Sequence, residues 1–328
     1  MLHIFSVDPG KRITKFAWLS EDGEIKVDSF PTKYTEINEL NDSDIVGEDS
    51  FLVKYNEQKL VVGAQGELDS LDKRTKKNSL HKIAAFTAVT RMLKDKKPSD
   101  EDEIVLINTI PGTSYKSKEL KKQYIDFYLE EKEQLISVND KDFSFTIKDT
   151  CFLPEGIGFK FKYPEFCKAG KVCVVDIGGF NIGITVYNNG AIERIISLDL
   201  GGIELENDTI ELLEAKLDQG IDKKNILKYL GNGYVEDWGI EVEGSREIIK
   251  NSKCNYIEKF IKEAANKKVY FKDMDKINFI GGTSLSLTEE IKAHKNLSNV
   301  SEVFKDGKYI TVIGNLLYGV RKYNGRSI

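Results

Sequence analysis

Cysteine and histidine are scarce in this chain of 328 residues, with four of the first and three of the second. No two cysteines form a C-x-x-C pair and the histidines are scattered, so a zinc finger or ribbon is excluded. A disulfide framework is not expected either, and Cys151, Cys167, Cys173 and Cys254 read as free, partly buried thiols. No apolar run approaches the roughly 20 residues of a membrane span. The opening MLHIFSVDPGK lacks a basic start and a cleavable apolar core, so it reads as a first strand, not a signal peptide. The expectation is a cytoplasmic protein without membrane contact. Positive charge is not in excess: the net charge is −5, which gives no general affinity for nucleic acid or anionic lipid.

What remains is a globular composition, 40% hydrophobic and 31% charged, at a length that suits two domains. Leu2 to Val7, Thr14 to Leu19 and Ile25 to Phe30 read as a three-strand meander, with Asp8-Pro9-Gly10-Lys11 at its first bend. Phe51 to Lys54 and Lys59 to Val62 read as a hairpin. Apolar spacing predicts helices over 79–95 and 117–131, with strands at Ile104 to Thr109, Leu135 to Val138 and Phe143 to Thr150. The stretches Tyr34 to Asp49 and Lys94 to Asp102 read as surface loops. A turn-rich passage, Leu153-Pro154-Glu155-Gly156, leads to a second meander.

That second meander opens with VCVVDIGGFNIGITVY, Val172 to Tyr187. An apolar β-branched run stops at Asp176. Gly178 and Gly179 follow, and a second such run starts at Ile182. Glycines there let backbone N–H groups approach a phosphate, and the acid can hold a metal ion on it. An ordinary structural turn is the plainer alternative. Ala191 to Leu198 is a third strand. Helices are predicted over 203–217, 223–230 and 244–266, and Lys276 to Ile280 is a strand ending in Gly281-Gly282-Thr283-Ser284, a helix start. Val312 to Tyr323 closes the chain as a helix. The acids Asp8 and Asp176 stand about half the chain apart, each followed by a meander and then helices. This is a duplicated pattern, which predicts the two acids facing each other across one cleft.

Two D-x-G hairpins, a proline-terminated strand between them and a late strand-GG-[TS]-helix resemble the actin and sugar-kinase superfamily. VDPGKRITKFAW is similar to its first phosphate loop, VVDIGGFNIGITVY to its second, NFIGGTSLSL to its adenosine motif and VIGNLLYGVRKY to its last connecting helix. The short length, the LPEG passage and the terminal NLLYGVRKY resemble the bacterial actin-like plasmid-segregation proteins of the ParM type, especially clostridial ones. The resemblance implies an α/β, actin-like fold: two duplicated domains, each with a mixed five-stranded sheet and flanking helices, around a nucleotide cleft. Domain I would be 1–162 plus 312–328, and domain II 163–311. It implies an ATPase using ATP (or GTP) and Mg²⁺, with Asp8 and Asp176 on the metal. Gly10, Lys11 and Lys15 would serve the phosphates from one side, and Gly178, Gly179 and Asn181 from the other. Gly281, Gly282 and Thr283 would lie against the adenosine, and Glu155 would position the attacking water. Ser245 and Arg246 fall where family helices carry ribose or base contacts. The implied partners are further copies of the chain in a head-to-tail filament and a centromere-binding adaptor protein, with plasmid DNA engaged only indirectly.

The sequence departs from this family at the second hairpin. The family often shows D-[LI]-G-G-T-T-x-D, where this chain has Phe180, Asn181 and Gly183. Asn181 retains hydrogen-bonding capacity, so the departure bears on hydrolysis more than on binding. Lys11 replaces a small residue of the first loop. Two other classes stay open: a small-molecule (sugar or acid) kinase of the same superfamily, and a nucleotide-binding structural protein with little hydrolysis. Against the kinase, Asn108 to Thr113 offers no acid for a substrate hydroxyl.

Overall fold

The computed structural model describes residues 2–37, 46–69, 76–94, 103–217 and 220–324. The chain forms two compact units, Met1–Pro164 with Tyr309–Ile328, and Glu165–Lys308.

The first unit opens with β1 (Leu2–Pro9), β2 (Ile13–Leu19) and β3 (Ile25–Pro31), antiparallel neighbours. Three strands, β4 (Lys33–Glu36), β5 (Ser50–Tyr55) and β6 (Gln58–Gly63), form a second antiparallel group, extended by the two-residue β7 (Leu68–Asp69). The β5–β6 hairpin turns at Asn56 and Glu57, both with positive φ, the backbone of a two-residue turn that matches strand twist. Then come α1 (Ser79–Lys94), β8 (Glu103–Ile110), α2 (Gly112–Lys116), α3 (Lys118–Leu129), β9 (Glu133–Val138), β10 (Lys141–Pro154) and α4 (Gly158–Lys162).

The resulting sheet has ten strands in the order β3-β2-β1-β8-β10-β9-β5-β6-β4-β7. The five strands from β3 to β10 are the expected set, and the sheet continues beyond them. The cause is the length of β10, 14 residues. Its first half pairs with β9, its second half runs parallel to β8, and a register shift between Ile147 and Asp149 lets it serve both. The first residues of the predicted loop at Tyr34 to Asp49 are β4; its residues 38–45, and 95–102 of the second predicted loop, lie outside the described residues.

The core of this unit forms under α1. Phe86 packs edge-on against Tyr55, Tyr128 and Phe145, with centroids 5.7, 6.0 and 5.7 Å away. Helix α3 starts at Ser117, whose side chain accepts from the Leu120 N–H, and it buries only Tyr124 and Tyr128, one turn apart. Trp18 on β2 is buried and stacks on Phe16.

The second unit repeats the plan. It contains β11 (Lys171–Ile177), β12 (Ile182–Asn188), β13 (Ala191–Leu198), α5 (Gly202–Leu217), α6 (Ile226–Asn232), β14 (Glu236–Asp237) and β15 (Ile240–Glu241). After these come α7 (Ser245–Asn266), β16 (Lys276–Ile280), α8 (Gly282–Ser286), α9 (Thr288–Ala293) and β17 (Ser301–Val303). Its sheet has five strands, β13-β12-β11-β16-β17. Antiparallel β11–β12–β13 matches β1–β2–β3, and β16 lies parallel beside β11 as β8 lies beside β1. Phe260 of α7 centres this core, with Tyr256, Phe271 and Phe279 around it. The small β14–β15 hairpin turns through Trp238 and Gly239, both at positive φ. Trp238 is 96% exposed and is the single aromatic with that backbone among the described residues. The chain then returns to the first unit as α10 (Ile310–Asn324), where Gly314 and Gly158 of α4 meet backbone to backbone.

Candidate functional site

In the first unit the site is built where β1, β8 and β10 end side by side. Asp8 stands one residue before the end of β1 and faces Lys15 across the β1–β2 ladder. The turn closes with the Gly10 N–H donating to the Asp8 carbonyl at 2.7 Å. A side chain at Gly10 would put a Cβ 2.5 Å from the Ile13 carbonyl oxygen, so the turn requires glycine. Lys11 is buried, and Lys15 is half-buried. Glu155 leaves β10 just after Pro154, its N–H donating to the Ile110 carbonyl at 3.1 Å.

A residue the sequence reading missed joins the two acids. Lys76, 4% exposed, places its Nζ 2.9 Å from Asp8 Oδ1 and 2.8 Å from Glu155 Oε1. Thr109 Oγ1, at the end of β8, donates to the same Asp8 oxygen and lies 3.5 Å from Lys76 Nζ. The Lys76 backbone N–H donates to Tyr124 Oη at 3.0 Å, which anchors the lysine to α3. Burial opposes ionisation of Asp8, but Lys76, Lys15 and the Thr109 hydrogen bond outweigh it and hold the carboxyl at about 2. Burial likewise disfavours the Lys76 ammonium. The Asp8 and Glu155 carboxylates overcome that and hold it well above the ordinary lysine range. A buried cation between two carboxylates is thus charged at neutral pH.

In the second unit the site is a glycine-walled turn. Asp176 lies near the end of β11, opposite Gly183 on β12 and Ile280 on β16. The turn Gly178–Asn181 closes with the Gly178 N–H donating to the Asn181 carbonyl at 3.0 Å. The start of α5 docks on it. Gly202 and Ile203 donate to the carbonyls of Gly178 and Gly179, both at 2.9 Å. A Cβ on Gly201 would sit 2.5 Å from the Gly179 oxygen, so Gly201-Gly202 belongs to the turn's wall, a role the sequence reading did not give it. Asn181 Nδ2 donates to Ser197 Oγ at 3.3 Å, and Thr283 Oγ1 donates to the Gly178 carbonyl at 3.4 Å.

Gly281 has φ +93°, and a Cβ there would lie 2.5 Å from the Ile177 oxygen and 2.6 Å from Asp176 Oδ1. Gly282, the first residue of α8, has open space at that position. The structure therefore brings Asp176, Gly178, Gly179, Asn181, Gly281 and Thr283 into one neighbourhood of the second unit, and Asp8, Gly10, Lys15 and Glu155 into one of the first. Ser245 and Arg246 are engaged locally. Ser245 Oγ donates to the Val242 carbonyl and accepts from the Val235 N–H, while Arg246 pairs with Glu241 and lies over the Tyr234 ring.

Two meanders with an acid at the same strand end, and a parallel strand beside each, define a class. Residues 6–158 match the family of actin like proteins, N terminal domain. The whole structure is similar to that of Alp12 in its filament, with a TM-score of 0.69, 25% identity, and 98% of this chain and 99% of that one covered. It is similar to Ta0583, an archaeal actin homolog (TM-score 0.76, 14% identity, 98% and 99% covered), a protein also solved in complex with ADP. It is similar too to the ParM of a 15-stranded filament from Clostridium botulinum (TM-score 0.73, 16% identity, 97% and 99% covered). No curated protein matches the chain. The fold is the actin-like fold, and the chain's structural relatives within it include the ParM and Alp proteins.

Proposed function

We propose that this protein is a nucleotide-dependent, polymerising actin-like ATPase. It binds ATP (or GTP) with Mg²⁺, joins further copies of itself head to tail, and turns the filament over by hydrolysis. We further propose that it works in the cytoplasm and moves plasmid DNA through a centromere-binding adaptor protein.

One observation carries this reading: each repeated sheet has an acid, Asp8 or Asp176, one residue before the end of its first strand, beside a glycine where a Cβ would collide with backbone. Carboxylate oxygens suit a hard divalent cation, and the backbone N–H groups of tight glycine turns suit the oxygens of a phosphate. These residues fit a magnesium–nucleotide group, whose chemistry is phosphoryl transfer to water. Asp8 and Asp176 would hold the metal, largely through its waters. The first unit supplies Gly10, Lys11 and Lys15 to phosphate oxygens, and the second supplies Gly178, Gly179 and Asn181. Gly281, Gly282 and Thr283 would border the adenosine. Glu155 accepts the hydrogen bond, and then the proton, of the attacking water on its carboxylate.

Self-association is supported by the filament structures of the Alp12 and ParM relatives. A heterologous contact that does not close on itself generates an open filament. Sedimentation with ATP and Mg²⁺ tests the reading: nucleotide-dependent pelletable polymer is expected at several micromolar, and its absence sinks the filament. Glu155→Ala is expected to slow phosphate release at least tenfold while polymer persists. Unchanged release removes Glu155 from the water-positioning role.

A further inference from the structure

We propose that Lys76 is a built-in counter-cation that closes the Asp8–Glu155 carboxylate pair to free divalent metal, so that metal enters only together with the phosphates of a nucleotide. The proposal rests on reading this neighbourhood as part of a nucleotide site, and adds to it a rule about order of entry.

The geometry carries the argument. Lys76 Nζ sits at 2.9 and 2.8 Å from oxygens of two different acids, with Thr109 Oγ1 as its third neighbour at 3.5 Å. An ammonium has three donors, and here they fan out over three partners. The lysine is 4% exposed and its backbone is fixed by Tyr124, itself 3% exposed, so this is a packed arrangement and not a surface side chain caught in passing.

Charge makes the second half of the case. Two carboxylates meet Lys76, and Lys15 stands opposite Asp8 on the neighbouring strand. The local sum of these four groups is zero. A bare dication would enter a neutral, low-dielectric spot occupied by an ammonium, where the attraction of the two acids is already spent and cation–cation repulsion is strong. A metal–nucleotide complex is anionic instead. Its phosphate oxygens would give the ammonium a new partner as Asp8 turns to the metal, while Glu155 stays free to face the attacking water. A lysine suits this exchange because its charge rides on a flexible four-carbon stem.

The test uses Tb³⁺ alone, without nucleotide, followed by luminescence sensitised through nearby tyrosine. The full-length wild type is expected to show no saturable signal below millimolar Tb³⁺. Lys76→Met is expected to bind at least tenfold more tightly, with the gain abolished by adding Asp8→Asn, while Lys76→Arg behaves as the wild type. A second pair removes the risk that Lys76→Met does not fold: Lys76→Met with Glu155→Gln against Glu155→Gln alone, where the same tenfold gain is expected. Wild-type binding that is tight and lost in Asp8→Asn overturns the proposal. So does a folded Lys76→Met, or the double variant, that binds Tb³⁺ no better than its reference. Failure of the nucleotide reading is a separate result: neither ADP nor ATP with Mg²⁺ binding the wild type in calorimetry, whatever the terbium arms return.

Discussion

Asp8 and Asp176 occupy the same place in two copies of one plan, in different surroundings. Asp8 is buried and is gripped by side chains: the Lys76 ammonium, the Thr109 hydroxyl and the field of Lys15. Asp176 is half-buried, and it is crowded by main chain, with the Cα of Gly281 so close that a Cβ would fall 2.6 Å from its Oδ1. The first strand end thus carries a buried ion cluster, and a glycine closes on the second. The first cluster should answer to changes of charge and pH, and the glycine beside the second acid to changes of volume.

The comparison breaks most sharply at Lys76. Lys76→Met leaves two carboxylates facing each other without their cation. It is expected to lower the stability of the first unit by about 3–5 kcal/mol, as removal of one member of a buried ion cluster does. Denaturant unfolding followed by circular dichroism checks this, with the second unit's transition expected to stay in place.

Next comes volume in the second unit. Gly281→Ala is expected to cost roughly 2–3 kcal/mol, since it combines a collision with carbonyl and carboxylate oxygens with a left-handed φ. Gly282→Ala, one residue on, meets open space at the start of α8 and is expected to be near neutral. Equal effects in thermal melts of the two variants would refute the steric account.

A smaller effect is set by pH. Asp8 is held at about 2 against an ordinary 3.8. Because the folded value is the lower one, the stabilisation is complete above about pH 4 and is lost as pH falls toward 2. Its size is about 2 kcal/mol. Asp8→Asn should flatten that part of the acid-unfolding profile, measured by fluorescence. The smallest expected effect is on the exposed hairpin: Trp238→Ser should move stability by less than about 0.5 kcal/mol, because the side chain is 96% in solvent.

Much of this was legible in the sequence because it is local. The two meanders, the helices from Ser79 and Ser245, and the glycine turns all follow from periodicity and turn chemistry within a few residues. Lys76 was not legible. It lies in the run Lys73-Arg74-Thr75-Lys76-Lys77, which carries no motif, and its partners are Asp8 and Glu155, far away in sequence. Nothing local distinguishes a lysine that will be buried by tertiary contact from its neighbours. The docking of Gly201-Gly202 on the Gly178 turn escaped for the same reason, though an unexplained glycine pair just before a helix was the available signal. The strand β17 and the ten-strand extent of the first sheet were hidden in a different way. A three-residue strand carries too little alternation to be seen, and a strand that changes partners midway, as β10 does, shows only its own extended pattern.

The β14–β15 hairpin and the β2 strand have one more consequence. The chain has two tryptophans, Trp18 buried in the first unit and Trp238 exposed in the second. Their emission is expected to separate by environment, blue-shifted and shielded from quenchers for Trp18, red-shifted and quenchable for Trp238. Unfolding of the first unit will therefore move the spectrum, while unfolding of the second will barely touch it. The molecule carries its own optical label for telling which of its two halves opens first.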